Sequence, residues 1–127
     1  TIARELMDTQ ALLPEGCKPA FLRPPGGFVT DGVRQVAQAR QLAWLSWSVD
    51  PRDWASHDAA VIQEAVVTTV RDGDVILLHD MSDTSVDAAL AIVDELKAQG
   101  FTFVTASELA RLNGVTIEPG KEYSRFG

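Results

Sequence analysis

The sequence has few of the residues that crosslink a chain or bind nucleic acid. Its 127 residues include one cysteine, Cys17, and two histidines, His57 and His79. A single cysteine cannot form an internal disulfide, so the cysteine content leaves the redox compartment open. Lysine and arginine number 11 against 18 aspartates and glutamates, for a formal charge of −7. Because duplex-binding surfaces usually carry a basic stripe and this chain has none, we expect no nucleic-acid partner.

Long apolar runs are absent as well. A membrane-spanning helix needs about 18 or more consecutive apolar residues, and the chain contains no such stretch and no signal peptide. Its first residues already follow a helical pattern, with Ile2 and Leu6 at helical spacing and no cap before them. We therefore expect a piece cut from a longer protein. The hydrophobic content of 46% and charged content of 23% are typical of one small globular domain.

The apolar pattern predicts helices that alternate with short strands. The predicted strands are 20–22, 43–49, 75–78 and 101–104, and the predicted helices are 2–13, 31–42, 58–71, 82–99 and 106–112. The strands are apolar throughout, which favours a parallel sheet covered by helices. We predict an α/β fold with parallel strands and outer helices. The repeat length fits part of a (β/α) barrel and, almost as well, an open doubly wound sheet.

Polar side chains follow three of the predicted strands. Arg23 follows the first, Asp53 lies in the loop after the second, and His79 follows the third. Since the carboxyl ends of parallel strands lie at one rim, we expect these groups to converge there. A carboxylate beside a histidine favours the protonated imidazole, which can act as a general acid, and an arginine can clamp a carboxylate. The spacing indicates an acid–base site without identifying its reaction.

Each of these groups also has a structural interpretation. A histidine at a strand end is often a hydrogen-bonded structural residue, and an arginine before two prolines is often a surface residue. The segment 50–54 could simply be a turn that caps the next helix, and its Trp54 could be a packing residue. The coincidence of three polar clusters on three successive strand ends favours a functional site.

Three motifs in these loops resemble those of the polysaccharide deacetylases with a NodB homology domain, carbohydrate esterase family four. Residues 23–27 (RPPGG) resemble the third family motif, R-P-P-aromatic-G. Residues 50–54 (DPRDW) match the fourth, D-x-x-D-W, and residues 77–79 (LLH) match the fifth, L-x-H. The resemblance extends from about residue 21 to the "VTASEL" segment that ends at residue 109. Three motifs in the family order make the resemblance specific.

The resemblance implies a fold and an activity for the protein of which this chain is part. The implied fold is the C-terminal part of a distorted (β/α) barrel, with residues 1–113 in that domain and residues 114–127 as a C-terminal tail. The implied activity is metal-dependent hydrolysis of N-acetyl groups on a cell-wall glycan, with peptidoglycan N-acetylglucosamine units as the expected substrate. An extracellular or cell-envelope location of the parent protein is expected from this.

The resemblance further implies catalytic roles for three residues. His79 would be the catalytic acid that protonates the leaving amine, and Asp53 would tune it. Arg23 would orient and tune the catalytic base, an aspartate of the first family motif. The first motif, T-F-D-D-G, has no counterpart in this chain.

Four other residues would bind substrate. Trp54 and Leu77 would line the small pocket for the acetyl methyl group. The backbone N–H near Gly26 would stabilise the oxyanion. Gly26 stands where the family has an aromatic residue, and Phe28 could fill the space of the missing ring.

The second family motif, H-x-x-x-H, is also absent from this chain. The first two motifs supply the base and all three metal ligands, so a divalent metal, zinc or cobalt, is expected in the intact enzyme with its ligands outside this chain. His57 lies in a loop at a helix-capping position and is not expected to be a ligand. We expect this chain alone to be inactive. The missing N-terminal half would come from the parent protein, a second chain or a swapped copy, and would cover an unpaired sheet edge.

Two other functions remain open from the sequence. One is a non-catalytic glycan-binding or regulatory remnant of the same family, which would keep the motif residues and lack the metal half. The other is an unrelated small α/β module of the receiver type, in which Asp80 after a buried strand would be the acidic site. The acidic pair expected near an early strand of such a module is not present.

Overall fold

The computed structural model describes residues Thr1–Gly127 as two compact units. The first comprises residues 1–46 and 116–123, and the second comprises residues 47–115 and 124–127. No helix in either unit has the length and apolar character needed to cross a bilayer. The predicted boundary between residues 113 and 114 stays a prediction.

The first unit contains a three-stranded parallel sheet. Its strands, in sheet order, are β1 (Phe21–Leu22), β2 (Ala43–Leu45) and β3 (Glu122–Tyr123). In the central strand, Trp44 pairs with Leu22 on one side and with Glu122 on the other. β3 lies in the segment predicted to be a polar tail, so that description of residues 122–123 is wrong. Two residues with one charged side chain carry too little apolar pattern to predict a strand.

Two helices, α1 (Ile2–Ala11) and α2 (Asp31–Ala39), complete the first unit. Thr30 caps α2 by accepting a hydrogen bond from the Val33 N–H at 3.2 Å. α2 ends before the predicted residue 42 because Gln41 adopts a left-handed conformation with φ 57°. The chain turn brings Leu42 into a small core with Ala37 and Trp44.

The second unit is built on three helices, α3 (Ala59–Val67), α4 (Asp83–Ala98) and α5 (Ala106–Leu112). α3 and α4 pack together around a buried apolar cluster, whose members are Val49, Ile62, Val66, Ala88, Ile92 and Leu96. The predicted strand 75–78 is reduced to a single parallel bridge between Val49 and Ile76. Leu77 extends this pairing by donating its N–H to the Val49 carbonyl at 2.9 Å.

Residues 101–104 (FTFV) are not in a sheet, so the strand predicted there is wrong. The Phe101 N–H donates to Leu96 at the end of α4, but the backbone groups of residues 102–104 have no backbone partner. Phe103 and Val104 are exposed. A strand requires a neighbouring strand, which the apolar pattern alone cannot supply. The predicted α/β class, with parallel strands and helices, is confirmed.

Candidate active site

The second unit holds a buried carboxylate, Asp53, which is paired with His79. Asp53 begins a short 3-10 turn, Asp53–Ala55, and its side chain has no exposed surface. Its Oδ2 accepts the backbone N–H of His79 at 2.8 Å, and its Oδ1 lies 2.8 Å from the imidazole Nδ1. A buried charge requires such partners, because an isolated carboxylate is strongly disfavoured in an apolar interior. Two hydrogen bonds from one residue therefore fix the imidazole against the carboxylate.

The surroundings of Asp53 favour its ionised form. Burial by itself would raise the pKa of the carboxyl group. Hydrogen bonds from the His79 side chain and backbone and from the Ser85 side chain, with the Coulombic attraction of His79, outweigh burial and lower the pKa of Asp53 below its ordinary value. At neutral pH the carboxylate is therefore an anion that accepts hydrogen bonds and donates none.

An ionised Asp53 also sets the tautomer of His79. Because the carboxylate can only accept, Nδ1 of the imidazole carries the proton in the 2.8 Å contact. The Nε2 atom is then the nitrogen that Asp53 does not hold, and the His79 side chain is 39% exposed. This arrangement leaves one imidazole nitrogen to exchange a proton with a bound molecule, while the other is fixed by the protein.

Ser85, in the first turn of α4, is a residue of this site that the sequence analysis missed. It is 1% exposed and its side chain hydrogen-bonds the Asp53 carboxylate. The Ser82 hydroxyl, which caps α4, donates to the Ser85 Oγ at 3.0 Å. Since Ser85 accepts that proton, its own is available to Asp53. The available signal was a serine on the buried face of α4, in register with Ala88 and Ile92.

Replacing Ser85 with alanine is expected to raise the pKa of Asp53 and to destabilise the chain. The buried carboxylate loses one donor, which costs about 1–3 kcal/mol of the free energy of unfolding at pH 7. Urea unfolding measures this cost. The exposed Ser107→Ala, in α5, is the matched control and should change stability by no more than about 0.5 kcal/mol. If Ser85→Ala lowered the free energy of unfolding by the same amount in an Asp53→Asn variant, that result would contradict a direct contact between the Ser85 hydroxyl and the Asp53 carboxylate.

Arg52, Trp54 and Leu77 also lie in the second unit. The indole of Trp54 is 61% exposed, and the Arg52 guanidinium lies 5.0 Å from its ring centroid. Leu77 is buried beside the Val49 backbone. The acetyl-pocket roles of Trp54 and Leu77 stay predictions.

The remaining predicted site residues lie in the first unit. Arg23 follows β1, and its guanidinium donates to the carbonyls of Leu45 at 3.0 Å and Ser46 at 3.3 Å, at the carboxyl end of β2. Gly26 has a φ of 68°, and a Cβ there would meet the Phe28 ring at 2.9 Å. The exposed Phe28 ring therefore occupies the space that a side chain at Gly26 would enter. The convergence of Arg23 with Asp53 and His79 at one rim stays a prediction.

The side chains that could bind a metal ion are spread over the chain. No group of three or more histidine, cysteine, aspartate or glutamate side chains is placed to hold a metal ion in residues 1–127. His79 already uses Nδ1 on Asp53, and His57 is exposed in the loop before α3. These donors do not fit a divalent metal site, and no catalytic step through a metal is assigned to this chain.

Known proteins resemble the chain in both sequence and fold. No family model matches it. It is 40% identical over 116 residues to the peptidoglycan-N-acetylglucosamine deacetylase of Bacillus cereus, covering 87% of this chain and 54% of the relative. A family 4 acetyl xylan esterase from Clostridium thermocellum, solved in complex with a cobalt ion, superposes with a TM-score of 0.85 at 32% identity, covering 98% of this chain and 62% of the esterase.

A third relative is a pseudoenzyme. A mutant of BA3943, a CE4 family pseudoenzyme from Bacillus anthracis, superposes with a TM-score of 0.73 at 26% identity. That superposition covers 85% of this chain and 40% of the mutant. The chain thus spans about half the length of the curated relative, 54%, and 62% of the esterase.

Proposed function

Since this chain corresponds in sequence and fold to the carboxyl-terminal part of a polysaccharide deacetylase domain of carbohydrate esterase family four, we propose that it supplies the proton-donating half of a metal-dependent N-deacetylase. The predicted fold class, part of a (β/α) barrel, is confirmed by the same correspondence. The observation that carries the proposal is the buried, ionised Asp53, whose two oxygens hold the His79 backbone and Nδ1 at 2.8 Å each.

The proposed chemistry places the proton transfer on His79. When the C–N bond of the tetrahedral intermediate breaks, its electron pair stays on nitrogen, and the proton on His79 Nε2 moves to that nitrogen. The products are acetate and a free amine on the sugar. Asp53 stabilises the imidazolium before the transfer and keeps Nδ1 protonated after it, so that Nε2 is free to take up the next proton.

The remaining residues are proposed to bind and orient. Arg23 would orient a catalytic base, and the Gly26 N–H would donate to the oxyanion. Trp54 and Leu77 would contact the acetyl methyl group, and Phe28 would line the groove beside Gly26. We place both the base and the ligands of the zinc or cobalt ion outside this chain.

The proposed substrate is the N-acetylglucosamine unit of peptidoglycan. The name of the Bacillus cereus relative, at 40% identity, supports this choice. The esterase relative is named for acetyl xylan instead, at 32% identity, so xylan is the competing substrate. A peptidoglycan substrate would place the parent protein outside the cell or in its envelope.

The proposed partner is the rest of the deacetylase domain. The chain covers 62% of the esterase that it superposes on, so a substantial part of such a domain lies outside it. The backbone groups of residues 102–104 have no backbone partner, and the side chains of Phe103 and Val104 are exposed. A strand from the missing part that paired here would satisfy these backbone groups and cover the apolar side chains. A second chain or a swapped copy could supply the same strand.

The proposal is tested by reconstitution. The purified 127-residue chain is expected to release no acetate from N-acetylglucosamine oligomers and to bind no stoichiometric zinc, because the ligands and the base lie elsewhere. Adding the preceding part of the domain from the parent protein should produce both acetate release and stoichiometric zinc binding. Acetate assays and metal analysis measure them, with a Phe103→Lys chain as the control that weakens assembly. Tight stoichiometric zinc on the chain alone would contradict the proposal.

A non-catalytic remnant is the alternative function, and the similarity to a CE4 family pseudoenzyme supports it. Such a protein would bind glycan and release no acetate, even with zinc or cobalt and all of its segments present. Glycan binding by the parent protein without any acetate release would therefore replace the enzymatic proposal with this one.

A further inference from the structure

The loop before Asp53 contains a residue in a strained conformation. Arg52 has φ 53° and ψ 48°, and the only other non-glycine residue with positive φ is Gln41. Gln41 follows the C-cap of α2, a position where left-handed residues are common. Arg52 terminates no helix, and its conformation costs about 1–2 kcal/mol relative to a right-handed one. Glycine would adopt the same conformation without this cost.

Hydrogen bonds on both sides hold Arg52 in place. The Asp50 Oδ1 accepts the Arg52 N–H at 2.9 Å, and the Arg52 carbonyl accepts the Ala55 N–H at 2.9 Å. Backbone strain that is maintained in this way often occurs at residues whose side chains have a functional role.

That side chain lies over an exposed aromatic ring. The Arg52 guanidinium is 5.0 Å from the centroid of the Trp54 indole, which is 61% exposed. Arg52 takes part in no ion pair, and its guanidinium hydrogen-bonds no protein atom. The cation–π contact thus orients a planar group whose N–H donors are unused by the protein.

The position of this pair relates it to the proposed acid. Arg52 and Trp54 flank Asp53, whose carboxylate holds the His79 imidazole at 2.8 Å. A guanidinium with free donors binds a carboxylate through two parallel hydrogen bonds, and the indole offers a flat apolar surface to a sugar ring.

We propose that Arg52 and Trp54 form a subsite for a sugar unit that carries a carboxylate, adjacent to the unit that is deacetylated. This inference rests on the proposed function and deepens it. The subsite selects for glycans whose sugars bear a free carboxylate, such as the muramic acid units of peptide-free peptidoglycan strands, over neutral glycans such as chitin oligomers. Arg52 determines specificity and does not exchange protons with the substrate.

The experiment uses the parent protein and two matched glycans, a peptide-free peptidoglycan oligosaccharide whose muramic acid carboxylates are free and the same molecule with those carboxylates amidated. Arg52→Ala is expected to weaken binding of the first about 10- to 100-fold, the worth of a hydrogen-bonded charge, and to raise KM while leaving kcat nearly unchanged. Binding of the amidated glycan should change less than about 3-fold, because it offers no carboxylate to the guanidinium. Calorimetry measures binding, and acetate release measures turnover.

Two control variants separate the side chain from the backbone. Arg52→Gly relieves the strain and removes the guanidinium. It should lose the preference for the carboxylate glycan to the same extent as Arg52→Ala, and it should be more stable to urea than Arg52→Ala. Arg71→Ala removes another exposed arginine of the second unit and should leave the preference for the carboxylate glycan intact.

The outcomes distinguish the two proposals. Equal weakening of both glycans by Arg52→Ala, or no weakening of either, overturns the subsite. Absence of acetate release by the wild-type parent with either glycan counts against the deacetylase function. In that case calorimetry still tests the subsite, because it measures binding and needs no turnover. A loss of binding in Arg52→Ala that occurs only with the carboxylate glycan supports the subsite.

Discussion

Replacement of His79 by alanine is expected to slow acetate release by the parent protein about 10²- to 10⁴-fold, the usual contribution of a general acid. The expected loss follows from the geometry, since Asp53 fixes Nδ1 at 2.8 Å and leaves Nε2 as the nitrogen for the proposed proton transfer. The effect should fall on kcat more than on KM, because the proton is needed when the C–N bond breaks. Acetate release across a pH series measures it, and the metal content should not change.

His57→Ala is the matched control, since it removes the other histidine and is expected to leave turnover unchanged. Alanine at position 79 also leaves Asp53 without its imidazole partner, so the folded fraction of each variant must be measured by urea unfolding. His79→Gln restores a donor toward Asp53 but cannot act as a general acid, and it should be folded and slow. Normal turnover in a folded His79→Gln variant would exclude the proposed role of His79.

The second large effect is expected at Asp53. Asp53→Asn should slow acetate release about 10²- to 10⁴-fold, because an amide does not stabilise the imidazolium or hold the same tautomer. The variant also places a donor N–H₂ group where the carboxylate accepts two hydrogen bonds from His79. One of these bonds is lost, and stability at pH 7 should fall by about 1–3 kcal/mol. Acetate assays on the parent protein and urea unfolding measure the two losses.

The pH dependence of stability provides an independent test of Asp53. Its pKa is lowered in the folded state, so its contribution to stability is fully present above the unfolded value of about 3.9. The contribution is lost as the pH falls through the folded pKa. Asp53→Asn, which cannot titrate, should therefore flatten the acid limb of the curve of unfolding free energy against pH. The exposed Asp80→Asn is the control, and an unchanged acid limb in Asp53→Asn would contradict an ionised, hydrogen-bonded carboxylate.

Local sequence signals predicted the helices and one part of the site. Thr30 caps α2 through Val33, as expected for a threonine before an apolar periodic segment. The loop 50–54 and the segment 77–79 follow chain segments that pair in parallel at Val49 and Ile76, and the structure brings Asp53 and His79 together after that pairing. Such convergence depends on strand direction, which an apolar run in an α/β pattern indicates well.

Features that depend on distant or single side chains were not predictable. Ser85 is one polar residue in a helix whose other buried positions are apolar, and nothing local marks it as a partner of Asp53. Residues 101–104 have the composition of a buried strand, yet pairing depends on a neighbour that no local pattern reports. The left-handed backbone of Arg52 was missed because arginine has no preference for that conformation.

The pairing of β3 with β2 bears on the order of events during folding. Ser46 and Tyr123, which hydrogen-bond where these strands meet, are 77 positions apart in the chain. Closing so long a loop is entropically unfavourable and slow, whereas α3 and α4, which share a buried cluster, are close in sequence. During synthesis on the ribosome, the helical pair can form early. The first unit acquires its third strand only after residues 122–123 have emerged.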